Sequence, residues 1–173
     1  LTSRSKDADN KVPMAGVPYH AADQYISTLV SKGYKVVICE QVEDPKLAKG
    51  IVKREVVKIV TPGTVTDLNA LQENTNNYLA CIHKDKECYG LAFVDLMTGQ
   101  FEITQLKSSF PYDEVVSEVS RFEPKECLVN YEFFKEKLLS KKMKENLELY
   151  FTVKDNEYIN EQSALNLLIT QFG

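Results

Sequence analysis

Three apolar runs lie too close together along the chain to be anything but consecutive strands. Tyr78 to His83 is followed by the turn residues Lys84 to Glu87 and then by Tyr89 to Leu96. Thr98-Gly99 leads on to Phe101 and Ile103, which alternate with Glu102 and Thr104. Parallel neighbours need a crossover of about a dozen residues or more, whereas these connections are of hairpin length. The pattern predicts a three-stranded antiparallel meander whose third strand is wet on one side.

Beyond the meander the period lengthens. Pro111 with Asp113 and Glu114 opens a helix that places Val115, Val119 and Phe122 on one face, and Pro124 ends it. Cys127-Leu128-Val129 reads as a short strand. Tyr131, Phe134 and Leu138 mark a helix over 131–145, Leu147 to Val153 a strand, and Leu165, Leu168 and Phe172 a last helix. The order βββαβαβα is that of the RNase H-like fold, with two later strands extending the meander in parallel. Nucleases built this way resemble one another in carrying carboxylates on the first strand, the first helix and the fourth strand, to clamp metal ions on a phosphate. As read here, neither the first nor the fourth strand has one. Glu114 or Glu118 alone is a favourable charge near a helix start.

Upstream, Ala22, Tyr25, Ile26 and Leu29 recur at helical spacing, and Gly33 stands where a left-handed cap is needed. Tyr34 to Cys39 reads as a buried strand. Asp44-Pro45 breaks it, Glu55 to Val60 is a second strand, and Thr61-Pro62-Gly63 suits a type II turn. Lys46, Lys49, Lys53, Arg54 and Lys58 gather between and along these strands, with Glu55 the only acid among them after Asp44. A solvated connection accounts for such a cluster, and so does a phosphate-tracking surface. The polar stretch from Asp67 to Asn77 separates this part from the meander and is the expected domain boundary. The fold class is α/β: an α+β mixed-sheet part over 1–72, then a βββαβαβα part over 76–173.

Charge separates the same two parts. Residues 1–75 carry 10 Lys+Arg against 9 Asp+Glu, and residues 76–173 carry 11 against 16, for a total of −4. The first part is the better polyanion binder. Cys39, Cys81, Cys88 and Cys127 form no C-x-x-C pair and read as free thiols. His20 and His83 have no ligand at zinc spacing. No window is apolar enough to span a membrane, and 1–12 lacks the apolar core of a signal peptide, so the expected compartment is cytoplasmic. The start at Leu1 suggests a piece of something longer. Without G-x-x-x-x-G-K-[ST], G-x-G-x-x-G or G-x-S-x-G, the chain reads as non-enzymatic.

The segments GVPYHAA (16–22), ICEQVEDP (38–45), KGIVKREVV (49–57) and IVTPGTVTD (59–67) resemble the MutS family of DNA mismatch-repair proteins. GLAFVDLMTGQF (90–101) and LNLLITQFG (165–173) resemble that family's connector domain. The resemblance implies the rear of a mismatch-recognition domain followed by most of a connector. By the same resemblance the family's wedge, Phe-x-Glu after Gly-Asp, is expected upstream of Leu1, and the clamp, lever and ATPase domains downstream of Gly173. It implies a full protein that is a homodimer, binds mismatched duplex DNA, uses ATP and magnesium, and recruits a MutL-type partner through the connector. No cofactor is expected in this chain itself. By similarity Arg4 and Arg54 fall near the DNA backbone, and local charge adds Lys53 and Lys58. The alternative is a protein-interaction module that does not bind DNA, which the acidic second part favours.

Overall fold

The computed structural model describes residues 2–3, 13–14, 16–48, 50–66, 76–107, 111–136, 141, 143, 147, 149–154 and 160–173. Arg4, Lys49, Leu138 and most of the expected boundary, 67–75, lie outside the described residues. Strands β1 (Thr2–Ser3) and β2 (Pro13–Met14) form a short antiparallel ladder.

A single 3-10 turn, Tyr19–Ala21, leads into helix α1 (Ala22–Ser31). Its end is closed by two backbone bonds, from Gly33 N–H to the Val30 carbonyl (2.8 Å) and from Tyr34 N–H to the Leu29 carbonyl (3.1 Å). Gly33 sits at φ +83°, so the left-handed cap expected from the sequence is present as a Schellman motif. Strands β3 (Val36–Gln41) and β4 (Arg54–Val60) pair antiparallel, and α1 covers one of their faces. The core there is small: Val30, Val60 and Val65, with Ile26, Val36 and Ile38 against them. Strand β3 is therefore not the buried strand expected. Its run of β-branched residues fits a two-stranded ribbon with one uncovered face, where Val37 is 51% exposed.

Residues 76–173 build a five-stranded sheet from β5 (Tyr78–Asp85), β6 (Cys88–Asp95), β7 (Phe101–Leu106), β8 (Glu126–Asn130) and β9 (Tyr150–Lys154). The spatial order is β7-β6-β5-β8-β9, with the first three strands antiparallel and β8 and β9 parallel to β5. The meander and its parallel extension thus take the expected form. Helix α2 (Pro111–Phe122) buries Val115 and Val119 completely against the sheet face formed by Tyr78, Ala80, Ile82, Tyr89, Leu91 and Phe93. Phe122 is sandwiched there, stacked on Phe93 at 4.0 Å and edge-on to Tyr78 at 5.1 Å.

Helix α3 (Tyr131–Lys135) faces inward differently from the spacing expected. Phe133 is buried, while Tyr131 and Phe134 are 54% and 38% exposed. The cause is local: the Asn130 side chain accepts from the Phe133 N–H (3.2 Å) and from the Lys84 N–H (3.0 Å), and donates to the Lys84 carbonyl (2.8 Å). That N-cap ties the helix start to the end of β5 and turns Phe133 onto Tyr89 and Phe151. Helix α4 (Glu161–Phe172) is capped by Asn160 and buries none of its residues, although Phe172 stacks on Phe101 at 5.8 Å. Its expected face, Leu165, Leu168 and Phe172, is thus exposed by 49%, 42% and 67%.

Candidate nucleic-acid interface

The basic cluster falls on the β3–β4 hairpin, but its members do not share a face. Ile38 pairs with Lys58 and Cys39 with Val56, so Val57 is an extra residue, a β-bulge. The alternation changes phase across it. Lys58 lies on the α1 side with Val36, Ile38 and Val60, lining a small hollow with Asp23, Ile26 and Ser27. Arg54, opposite Gln41, lies on the outer side with Val37, Val56 and Ile59, and is exposed.

Lys53 is already engaged. Its ammonium pairs with Glu55 at 2.6 Å, and its N–H donates to the Glu43 carboxylate at 2.5 Å. The sequence hid Glu43, because it precedes Asp44 and reaches Lys53 only when the strands pair. Lys46 N–H donates to the Asp44 side chain at 2.9 Å, a local turn in which the lysine head takes no part. Arg54 and Lys53 are thus neighbours at the loop end of the hairpin, Lys58 lies on the other face, and Arg4 is outside the described residues.

The turn after β4 departs from expectation. Thr64 N–H bonds to the Thr61 carbonyl at 3.0 Å, but Gly63 has no positive φ, as a type II turn requires. Glycine is needed there for space. A Cβ would stand 2.9 Å from the Leu79 side chain and 3.0 Å from the Glu126 side chain.

Glu126 is a buried carboxylate that the sequence reading missed. Strand β8 begins one residue before Cys127, so the fourth strand does carry a carboxylate, and it is only 2% exposed. It accepts from Thr152 Oγ1 (2.6 Å), from Lys35 Nζ (3.1 Å) and from the Gly63 N–H (3.4 Å). Burial alone would raise its pKa, but the bonds from Thr152, Thr61 and Lys35, together with the Lys35 charge, outweigh burial and hold the carboxyl below its ordinary range. A carboxylate so occupied offers little to a metal ion. Asp95, buried on β6, is likewise turned inward, accepting from the Met97 and Thr98 N–H groups at 2.9 and 3.4 Å. Among the described residues no three His, Cys, Asp or Glu side chains gather as a metal site would need.

The four thiols are free, and burial pushes those of Cys81 and Cys127 up in pKa, which makes them poor nucleophiles. Lys84 and Tyr89 both bond to Glu136 where β5, β6 and α3 meet, and burial with that carboxylate raises the Tyr89 phenol. No described helix is long and apolar enough to cross a membrane.

A helix-covered hairpin joined to a mixed five-stranded sheet is a two-part α/β arrangement, and both parts have counterparts among DNA mismatch-repair proteins. Residues 1–69 match the family model for MutS domain I, and residues 77–173 match that for MutS domain II. The chain belongs to the MutS family. It is 44% identical to the DNA mismatch repair protein MutS of Acetivibrio thermocellus, over 99% of this chain and 20% of that protein. It is 45% identical to the MutS of Methanococcoides burtonii over the whole chain and 20% of the relative. With the MutS of Methanothrix thermoacetophila the identity is 54% over 74% of this chain and 15% of the relative. The chain therefore spans about a fifth of the length of the first of these relatives.

Proposed function

We propose that this chain is the part of a mismatch-repair protein that contacts the DNA backbone through the β3–β4 hairpin and carries, in its five-stranded sheet, a connector surface for partner proteins. The observation that supports it is the exposed guanidinium of Arg54 on the uncovered face of a hairpin whose sequence belongs to MutS domain I. Arg54 is free to meet a phosphate, whereas Lys53 must first leave Glu55, and Lys58 reaches duplex only from the α1 side. Arg4 belongs with Arg54 by resemblance. Such contacts position a protein on DNA without reading bases.

In this reading the larger protein is a homodimer that senses mismatches, uses ATP and magnesium, recruits a MutL-type partner through an RNase H-like connector, and works in the cytoplasm. This chain performs no catalysis: it should hydrolyse no ATP and cut no DNA with magnesium or manganese, and activity abolished by Glu114→Gln would contradict that. The competing reading, an interaction module without DNA contact, draws on the excess of acids in residues 76–173.

Titrating the chain with matched and mismatched duplexes at two salt concentrations decides between them. Weak binding that falls steeply with salt is expected. Mismatch preference should be absent, because the chain contains no Phe-x-Glu preceded by Gly-Asp to wedge into a base step. No binding at low salt supports the interaction module, and a preference of about tenfold contradicts the assignment of backbone contacts alone.

A further inference from the structure

We propose that the Glu126 carboxylate is a latch that fixes the orientation of the α1/β3/β4 part on the five-stranded sheet, so that the hairpin and the sheet move as one body. Glu126 belongs to the sheet, yet two of its donors come from the other part of the chain. Lys35, just ahead of β3, donates from Nζ at 3.1 Å, and Gly63, just after β4, donates from its backbone at 3.4 Å. Thr152 on β9 also donates to Glu126 and is itself within bonding reach of Lys35 Nζ. One buried carboxylate thus collects both chain segments at the Val36/Val60 end of the β3–β4 ribbon and the neighbouring sheet strand.

Three further contacts surround it. The Tyr150 ring lies where a Cβ on Gly33 would stand, so the α1 cap packs on β9. Gly63 packs on Leu79 and Glu126 as closely as glycine alone allows. Asn77, 5% exposed, donates to the Pro62 and Val65 carbonyls at 3.2 and 3.4 Å. Asn77 was expected in a polar linker, but it is buried and bonded across the junction. A tether would leave such groups to water. A carboxylate in a nearly dry site, in contrast, loses several directed bonds at once if the two parts swing apart.

Residual dipolar couplings of the whole chain at neutral pH test the latch, because they report orientation and not stability. In the wild-type chain the amides of α1, β3 and β4 and those of β5 to β9 should fit a single alignment tensor. Lys35→Met and Glu126→Gln should each reduce the apparent order of the hairpin part at least twofold relative to the sheet, while couplings within each part keep their internal agreement. Lys35→Arg, which keeps the cation, should retain the single tensor. Separate tensors in the wild-type chain, or one tensor persisting in both Lys35→Met and Glu126→Gln, overturns the latch. If Glu126→Gln does not fold, Lys35→Met decides, since the Lys35 side chain is 43% exposed and its truncation opens no core cavity.

Discussion

Gly63 and Glu126 show how much a single residue carries when two parts of a chain meet at it. An alanine methyl at 63 would press on Leu79 and Glu126, so Gly63→Ala should destabilise by about 1–3 kcal/mol. Gly99→Ala tests a different cost, because space there is open and only its φ of +74° is strained, so a loss of about 1 kcal/mol is expected. Denaturant unfolding of both variants checks the pair, and a harmless Gly63→Ala contradicts the close approach. The sign of the Glu126 effect with pH follows from its lowered pKa. The unfolded chain binds that proton more readily than the folded one. The stabilisation is therefore fully present above the unfolded value of about 4.3 and is lost as pH falls through the lower folded value. Glu126→Gln should cost about 1–2 kcal/mol near pH 7, discounted because Lys35 is partly exposed, and the gap to wild type should shrink below about pH 4.3. A gap that stays constant down to pH 3 contradicts this. Neither residue was legible in the sequence, where Pro62-Gly63 reads as a turn and Glu126 falls one position ahead of the strand read at Cys127-Leu128-Val129. Their roles depend on contacts across 63 positions of chain.

Among the elements, periodicity revealed most where one face meets a sheet along a whole helix. Val115 and Val119 on α2, the hairpins of the meander and the Gly33 cap were all readable, because each depends on neighbours a few residues away. Helix α3 was misread, since in so short a helix the cap decides which residue turns inward. Phe133→Ala should therefore cost about 3–5 kcal/mol, while Tyr131→Ala should cost less than about 1, because its ring is 54% exposed and meets the Lys135 ammonium at 4.5 Å. Thermal unfolding separates the two, and equal losses contradict the packing described. The Val57 bulge was equally invisible. The lysines and arginine of the hairpin look like one cluster in sequence, and only pairing register sends Arg54 and Lys58 to opposite faces.

For the whole molecule, the two parts are unequal in core. The sheet part buries Ile82, Phe93, Phe133 and Met143 with many neighbours, whereas the hairpin part has Val30, Val60 and Val65. So small a core leans on the junction for its stability, which is why orientation and stability are linked at Glu126. The family and the α/β class were legible because long motifs and strand order are local records. The junction was not, because the polar run from Asp67 to Asn77 hides an asparagine that the fold buries.

A DNA-backbone contact through Arg54 is tested by the affinity of the wild-type, Arg54→Ala, Arg54→Glu and Lys58→Glu chains for one matched duplex across a salt series. A lost phosphate contact should weaken binding, more for Arg54→Glu than for Arg54→Ala, and should lower the slope of log affinity against log salt by about one unit. Lys58→Glu, on the opposite face, should do less. Unchanged affinity and unchanged slope on reversing the charge of Arg54 would contradict the claim and make the hairpin ordinary solvated surface.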